Sequence, residues 1–240
     1  MQKPSLERVA ELNQGFSETK NLMEALAIDF GKLIHCAYSD FNISEFPPKT
    51  GITKKMQLVA QWLYEREGWD AFDVLCSHSS DTLRGIACYM IAHYPQSLEE
   101  KFTHIKPLAA DKHFGVREWA WLALRQDVIA QLDPSLELLA SWSRESCENI
   151  RRFASEVTRP RGVWCAHITA LRKEPWKALK ILESLHNDPA RYVQLSVGNW
   201  LNDAGKDHGE WVLGLCDAWQ KQSSSLNTVK ICNRALRNLK

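Results

Sequence analysis

Four short stretches set the reading of this chain: Leu83-Arg84-Gly85-Ile86-Ala87, Val116-Arg117-Glu118-Trp119-Ala120, Ile150-Arg151-Arg152-Phe153-Ala154 and Val193-Gln194-Leu195-Ser196-Val197. Each opens on an aliphatic residue, three of the four follow it with Arg, and a small or aliphatic residue stands four places on. Their starts are 33, 34 and 43 residues apart. Around them, apolar residues recur at i, i+3 and i+4 over Leu6–Leu12, Leu22–Phe41, Lys54–Glu67, Leu83–His93, Val116–Arg125, Trp176–Leu185 and Leu226–Leu239, the rhythm of amphipathic helices. Pro47-Pro48, Pro95, Pro107, Pro134, Pro160, Pro175 and Pro189 are read as the breaks between them, since proline lacks the donor a helix interior needs. Strand-like alternation is nearly absent.

Self-similarity at this period predicts an all-α, right-handed α-solenoid of HEAT- or armadillo-like helix pairs, each pair burying its face against its neighbours around a concave groove. The alternative is an ordinary bundle of amphipathic helices. The 240 residues are expected to form one domain, residues 1–240, of about six to seven helix pairs, with the signature repeats inside 112–220. Only 11 Gly and 9 Pro disfavour a sandwich or propeller, which turns every several residues. No apolar run approaches the roughly 20 residues that span a bilayer, and the N-terminus has no signal-peptide core. Membrane-spanning, extracellular and disordered readings are set aside.

The formal net charge is +1, but it is unevenly placed. Residues 1–150 carry 15 Lys and Arg against 21 Asp and Glu; residues 151–240 carry 15 against 8. A basic face on an otherwise acidic protein steers a polyanion without making the whole surface adhesive; a solvated helical face that meets no ligand is the other reading. Seven cysteines, an odd number without a CxxC pair, read as free thiols in a reducing cytoplasm. No Cys/His spacing fits zinc. Phosphate-loop, nucleophile-elbow and zinc-helix motifs are all missing.

Two clusters carry chemistry. In Asn149-Ile150-Arg151-Arg152-Phe153-Ala154-Ser155-Glu156-Val157-Thr158-Arg159-Pro160-Arg161, Arg152 and Glu156 share a helix face, and Pro160 should end the helix with Arg159 and Arg161 at its mouth. Guanidinium forks suit phosphate geometry; an intrahelical Arg152–Glu156 pair is the structural alternative. In Tyr192–His208, Asn199, Asp203 and Lys206 form a stripe at i, i+4 and i+7, and Asn199 occupies the same repeat column as Glu156. Most of the ten tryptophans are read as packing between repeats. Trp119 and Trp121 point to different sides of their helix, so at most one is core in the simplest packing.

These clusters resemble the DNA alkylation repair family of HEAT-like repeat proteins, the AlkC/AlkD-type DNA glycosylases. The resemblance runs from about Val116 to Trp219 and is most specific in Arg-Arg-Phe-Ala-Ser-Glu-x-Thr-Arg-Pro-Arg and Val-Gly-Asn-x-Leu-Asn-Asp-x-x-Lys-Asp-His. It implies hydrolytic excision of N3- or N7-alkylated purines from double-stranded DNA by a cytoplasmic monomer that needs no metal or organic cofactor and no membrane. The candidate catalytic residues are Glu156, Asp203 and Glu118 with Trp119 or Trp121. The candidate DNA contacts are Arg151, Arg152, Arg159, Arg161, Asn199 and Lys206. Several positions depart from the family pattern. Gln194-Leu195 stands where a basic pair is usual, Gly162-Val163-Trp164 where Leu-Pro-Trp is usual, and Gly209 where a proline is common. Asn199 stands where AlkD-type members carry Trp. A non-catalytic relative that recognises DNA structure and a HEAT-type protein-interaction scaffold are the alternatives.

Overall fold

The computed structural model describes residues 3–40, 46–47, 49–163 and 165–239. Pro48, Trp164 and the sequon Asn42-Ile43-Ser44 lie outside them. The described residues form fifteen α-helices and no strand, so the fold is all-α, as the periodicity predicts. No helix is long and apolar enough to cross a membrane. The chain divides into two compact units, Met1–Leu124 and Arg125–Lys240.

The first unit contains α1 (Leu6–Asn13), α2 (Leu22–Ala27), α3 (Phe30–Ala37), α4 (Ile52–Glu67), α5 (Asp70–Cys76), α6 (Asp81–His93), α7 (Leu98–Ala109) and the start of α8 (Phe114–Ala130). Helix α6 is its centre: α4, α5 and α7 pack on it, and every residue from Asp81 to Ile91 is buried. The second unit contains the rest of α8, then α9 (Leu132–Trp142), α10 (Glu148–Val157), α11 (Thr169–Lys173), α12 (Leu179–Leu185), α13 (Arg191–Gly205), α14 (Gly209–Gln222) and α15 (Leu226–Ala235). Here α10, α13 and α15 pack side by side, with α9 and α12 on α10 and α14 on α13 and α15. That is the stacking of successive helix pairs on which a solenoid is built.

The recurring Arg has a structural job that explains the repeat. Arg84, Arg117, Arg151 and Gln194 are each the fourth residue of their helix, and each reaches back to two carbonyls of the preceding turn. Arg84 Nη1 donates to His78 and Ser79 at 2.7 and 3.2 Å, and Arg117 Nη1 to Asp111 and Lys112 at 2.7 and 3.0 Å. Arg151 Nη1 donates to Glu145 and Ser146 at 2.9 and 2.7 Å, and Gln194 Nε2 to Asp188 and Pro189 at 2.8 and 3.3 Å. Carbonyls that the turn leaves without backbone partners are thereby satisfied, and the turn is pinned to the helix it feeds. Three of these side chains also reach the next repeat. Arg84 grips Asp111 (Nε–Oδ2 2.8 Å), Arg151 grips Asp188 (2.6 Å), and Gln194 meets Asn227 (3.1 Å).

Three local expectations are corrected. The rhythm over Leu22–Phe41 is not one helix: Ile28 is extended, and the Asp29 carboxylate accepts from the Lys32 amide at 3.2 Å to begin α3 afresh. Pro134 lies inside α9 rather than before it, in the first turn, where a missing N–H leaves no bond unmade. Pro107 lies in the last turn of α7; the residue one turn earlier, Thr103, is exposed, so the orphaned carbonyl meets solvent.

Candidate nucleic-acid interface

Helix α10 buries Ile150, Phe153, Ala154 and Val157 on one face. Its other face is not solvated as an isolated amphipathic helix would be, because α13 packs over it. Ser155 Oγ donates to Ser196 Oγ at 2.8 Å, and the Arg152 guanidinium lies 4.6 Å from the Tyr192 ring centre, a cation–π contact. Glu156 and Asp203 are each only 5% exposed.

Between these two carboxylates sits Arg159. Its Nη1 donates to Glu156 Oε1 at 2.8 Å, while Nε and Nη2 donate to Asp203 Oδ2 at 2.9 and 2.6 Å. Ser196 Oγ donates to the other oxygen of Glu156 at 2.6 Å, with Arg152 Nη2 3.5 Å from it. Lys206 Nζ donates to Asp203 Oδ1 at 3.3 Å. Burial alone would push the Glu156 carboxyl up; the charges of Arg152 and Arg159 and the hydrogen bonds it accepts from Ser196 and Arg159 outweigh it and hold the group below the usual carboxylate range. Glu156 is therefore ionised at neutral pH.

The turn after α10 is held from beneath by a residue the sequence reading passed over. Arg125, 1% exposed, donates to the carbonyls of Val157, Arg159 and Ala166 at 2.8, 2.7 and 3.0 Å. The Ile168 amide closes the loop on the Pro160 carbonyl at 3.0 Å. Past Pro160, Arg161 Nη2 reaches Asp207 Oδ1 at 2.7 Å, and Arg172 holds both oxygens of Asp207 at 3.0 and 3.1 Å. Arg172's hydrogen bonds, ahead of those of Arg161, hold the Asp207 carboxyl at about 2.

The structure thus gathers Arg152, Glu156, Arg159, Asp203 and Lys206 into one network and sets Arg161 at its edge. Arg151 instead faces Asp188 and the turn before α10. Asn199 faces α15 and the turn after it: its Oδ1 accepts from Arg234 Nε at 2.9 Å and Arg237 Nη1 at 3.3 Å. In the first unit, Trp121 is buried and its Nε1 donates to Glu118 Oε2 at 2.7 Å, while Trp119 is half-buried over Gly85. Gln194 is buried in the repeat ladder. Trp200 and Trp219 are buried, with their indole N–H groups on Thr158 and Glu183. The described residues hold no cluster of His, Cys, Asp or Glu able to bind a metal, and all seven cysteines are free thiols.

A family model described as DNA alkylation repair enzyme matches residues 84–228, which include the whole network. This chain belongs to the DNA alkylation repair enzyme family. Its relative YhaZ of Bacillus subtilis (strain 168) is 31% identical over 213 residues, covering 78% of this chain and 56% of YhaZ. Among solved structures, the alkylpurine DNA glycosylase AlkC of Pseudomonas fluorescens, bound to DNA containing an abasic site analog, aligns with a TM-score of 0.69 at 22% identity. The match covers 98% of this chain and 63% of AlkC. Protein smu.31 of Streptococcus mutans UA159 aligns with a TM-score of 0.64 at 19% identity, over 77% of this chain and 92% of smu.31. The chain therefore spans somewhat under two thirds of the length of YhaZ and of AlkC, and shares its helical fold with AlkC and smu.31.

Arg152 and Glu156 were accessible to sequence reading because they are one helical turn apart. Arg125, Tyr192, Ser196 and Asp207 were not, because each enters the network across 32 or more residues, or through a neighbour's side chain.

Proposed function

We propose that this chain is a DNA repair protein that binds duplex DNA through the basic face of its second unit and excises N3- or N7-alkylated purines as a monofunctional glycosylase. The observation that carries the reading is the Glu156–Arg159–Asp203 bridge: two carboxylates, Glu156 ionised, fixed within a stretch of net basic sequence. Cations draw the phosphodiester backbone, and the carboxylates supply negative charge where the deoxyribose becomes positive. An alkylated purine is already cationic and departs readily. As the C1′–N bond breaks, its electron pair leaves with the base, which becomes neutral. Glu156 opposes the charge growing on the sugar, water adds its oxygen to C1′, and its proton passes to Asp203 or to solvent. Arg152 and Arg161 steady the flanking phosphates. Membership of the alkylation repair family and the fold shared with AlkC, solved on DNA with an abasic site analog, support this reading.

One observation favours a second reading, a relative that binds DNA structure without breaking a bond: both carboxylates are buried and already engaged with Arg159. Single-turnover release of methylated bases from heavily methylated duplex DNA separates the two. Glycosylase activity predicts release by the wild type that collapses in Glu156→Gln or Asp203→Asn. No release, beside an active relative as control, selects the structure binder, provided DNA affinity falls steeply with salt. Absent or salt-indifferent binding selects a protein-interaction scaffold.

A further inference from the structure

Glu156 and Asn199 occupy the same column of two successive repeats, and the structure shows what that exchange of a carboxylate for an amide does. Glu156 receives two arginines and sets a negative charge against them. Asn199 also receives two, Arg234 from α15 and Arg237 from the turn that follows it, on its single carbonyl oxygen, and neutralises neither. Its amide orients the guanidiniums and leaves their charge intact.

The pair is built rather than incidental. A β-carbon on Gly198 would stand 2.8–3.0 Å from Cβ, Cγ and Cδ of Arg234, so the aliphatic stem of Arg234 lies flat on α13 where only glycine leaves room. Arg237 Nη1 also donates to the Arg234 carbonyl at 2.9 Å, which sets the two guanidiniums side by side. Among the described residues neither has a carboxylate partner. The other charges felt at Arg234 are all positive: after burial itself, Arg237, Arg159 and Arg191 push its pKa down. Like charges held together by a neutral acceptor are a costly arrangement for a folded protein by itself, and a bound anion relieves it.

We propose that Arg234 and Arg237, oriented by Asn199 over Gly198, form a phosphodiester-binding site that extends the DNA contact beyond the Arg152–Asp203 network. Guanidinium forks present paired N–H donors in the geometry of phosphate oxygens, and the remaining N–H groups of both side chains have no protein acceptor among the described residues. The two arginines lie past residue 228, outside the stretch that matches the family model. It rests on the reading of this chain as a duplex binder.

The test is Asn199→Asp, a near-isosteric change that should pair with both arginines and cancel one of their two positive charges. Affinity of the full-length chain for a short duplex is measured by fluorescence anisotropy over a sodium chloride series, with the double variant Arg234→Gln/Arg237→Gln and the charge control Lys32→Gln. Thermal unfolding is followed on the same samples. The site predicts that Asn199→Asp binds DNA about tenfold more weakly, with the salt slope reduced by about one unit per lost phosphate contact, while its melting temperature holds or rises. The double variant should lose affinity at least as far, and the control should not. Wild-type binding with both site variants unchanged overturns this inference and leaves the proposed function standing. No wild-type binding at low salt overturns the duplex-binding reading and this site with it.

Discussion

Arg159 donates to Asp203 with Nε and Nη2, at 2.9 and 2.6 Å, across 44 residues of chain. Its remaining fork atom holds Glu156. One guanidinium therefore joins the end of α10 to the last turns of α13, and both the packing and the electrostatics of the network depend on it.

Glu156→Gln leaves Arg152 and Arg159 short of a counter-charge in a buried setting. The expected cost is about 3 kcal/mol, read from urea unfolding at pH 7. The effect is pH-dependent. Because the folded carboxyl lies below its unfolded value of about 4.3, its stabilising contribution is complete above that value and fades as pH falls through the folded pKa. The wild type should lose its advantage over Glu156→Gln as acid is added below about pH 4; a constant gap down to pH 2 would contradict the ionised, paired state.

Asp207, held at about 2 by Arg172 and Arg161, should behave likewise at smaller amplitude. Its side chain is partly exposed, so solvent and salt screen the pairs. Asp207→Asn is expected to cost less than about 1 kcal/mol at pH 7. The difference should vanish as pH falls from about 4 to about 2 and shrink in high salt. A direct readout is the carboxyl carbon shift of Asp207 followed by NMR titration.

Arg151→Lys keeps the charge but cannot span two carbonyls and Asp188 at once. A loss of about 2 kcal/mol is expected, measured by chemical unfolding, and the amides of the turn at 145–147 should exchange faster with solvent. An unchanged stability would mean that the ladder of fourth-position side chains is not what holds the turns.

Gly85→Ala should destabilise the first unit by about 1–3 kcal/mol. The added carbon would stand 2.4 Å from Trp119 Cδ1 and 2.5 Å from Met56 Cε. Displacing the indole should also shift tryptophan fluorescence. Loss of stability without a spectral change would place the strain elsewhere than at Trp119.

The chain's own order of residues determined that it is all helical, that its helices recur with an arginine in register, and that Arg152, Glu156 and Arg159 belong together. These are properties of spacing: 3.6 residues per turn brings i, i+3 and i+4 together whatever surrounds them. The same spacing assigned Arg151 to the charged cluster beside Arg152, and Asn199 to a stripe with Asp203. Tertiary structure alone decided that Arg151 turns back to Asp188 while its neighbour stacks on Tyr192, that Arg125 holds the loop after α10, and that Asn199 gathers Arg234 and Arg237. A long guanidinium side chain reaches whichever acceptor the packing of the next helix pair leaves unsatisfied, and in a stacked fold that acceptor comes from another repeat.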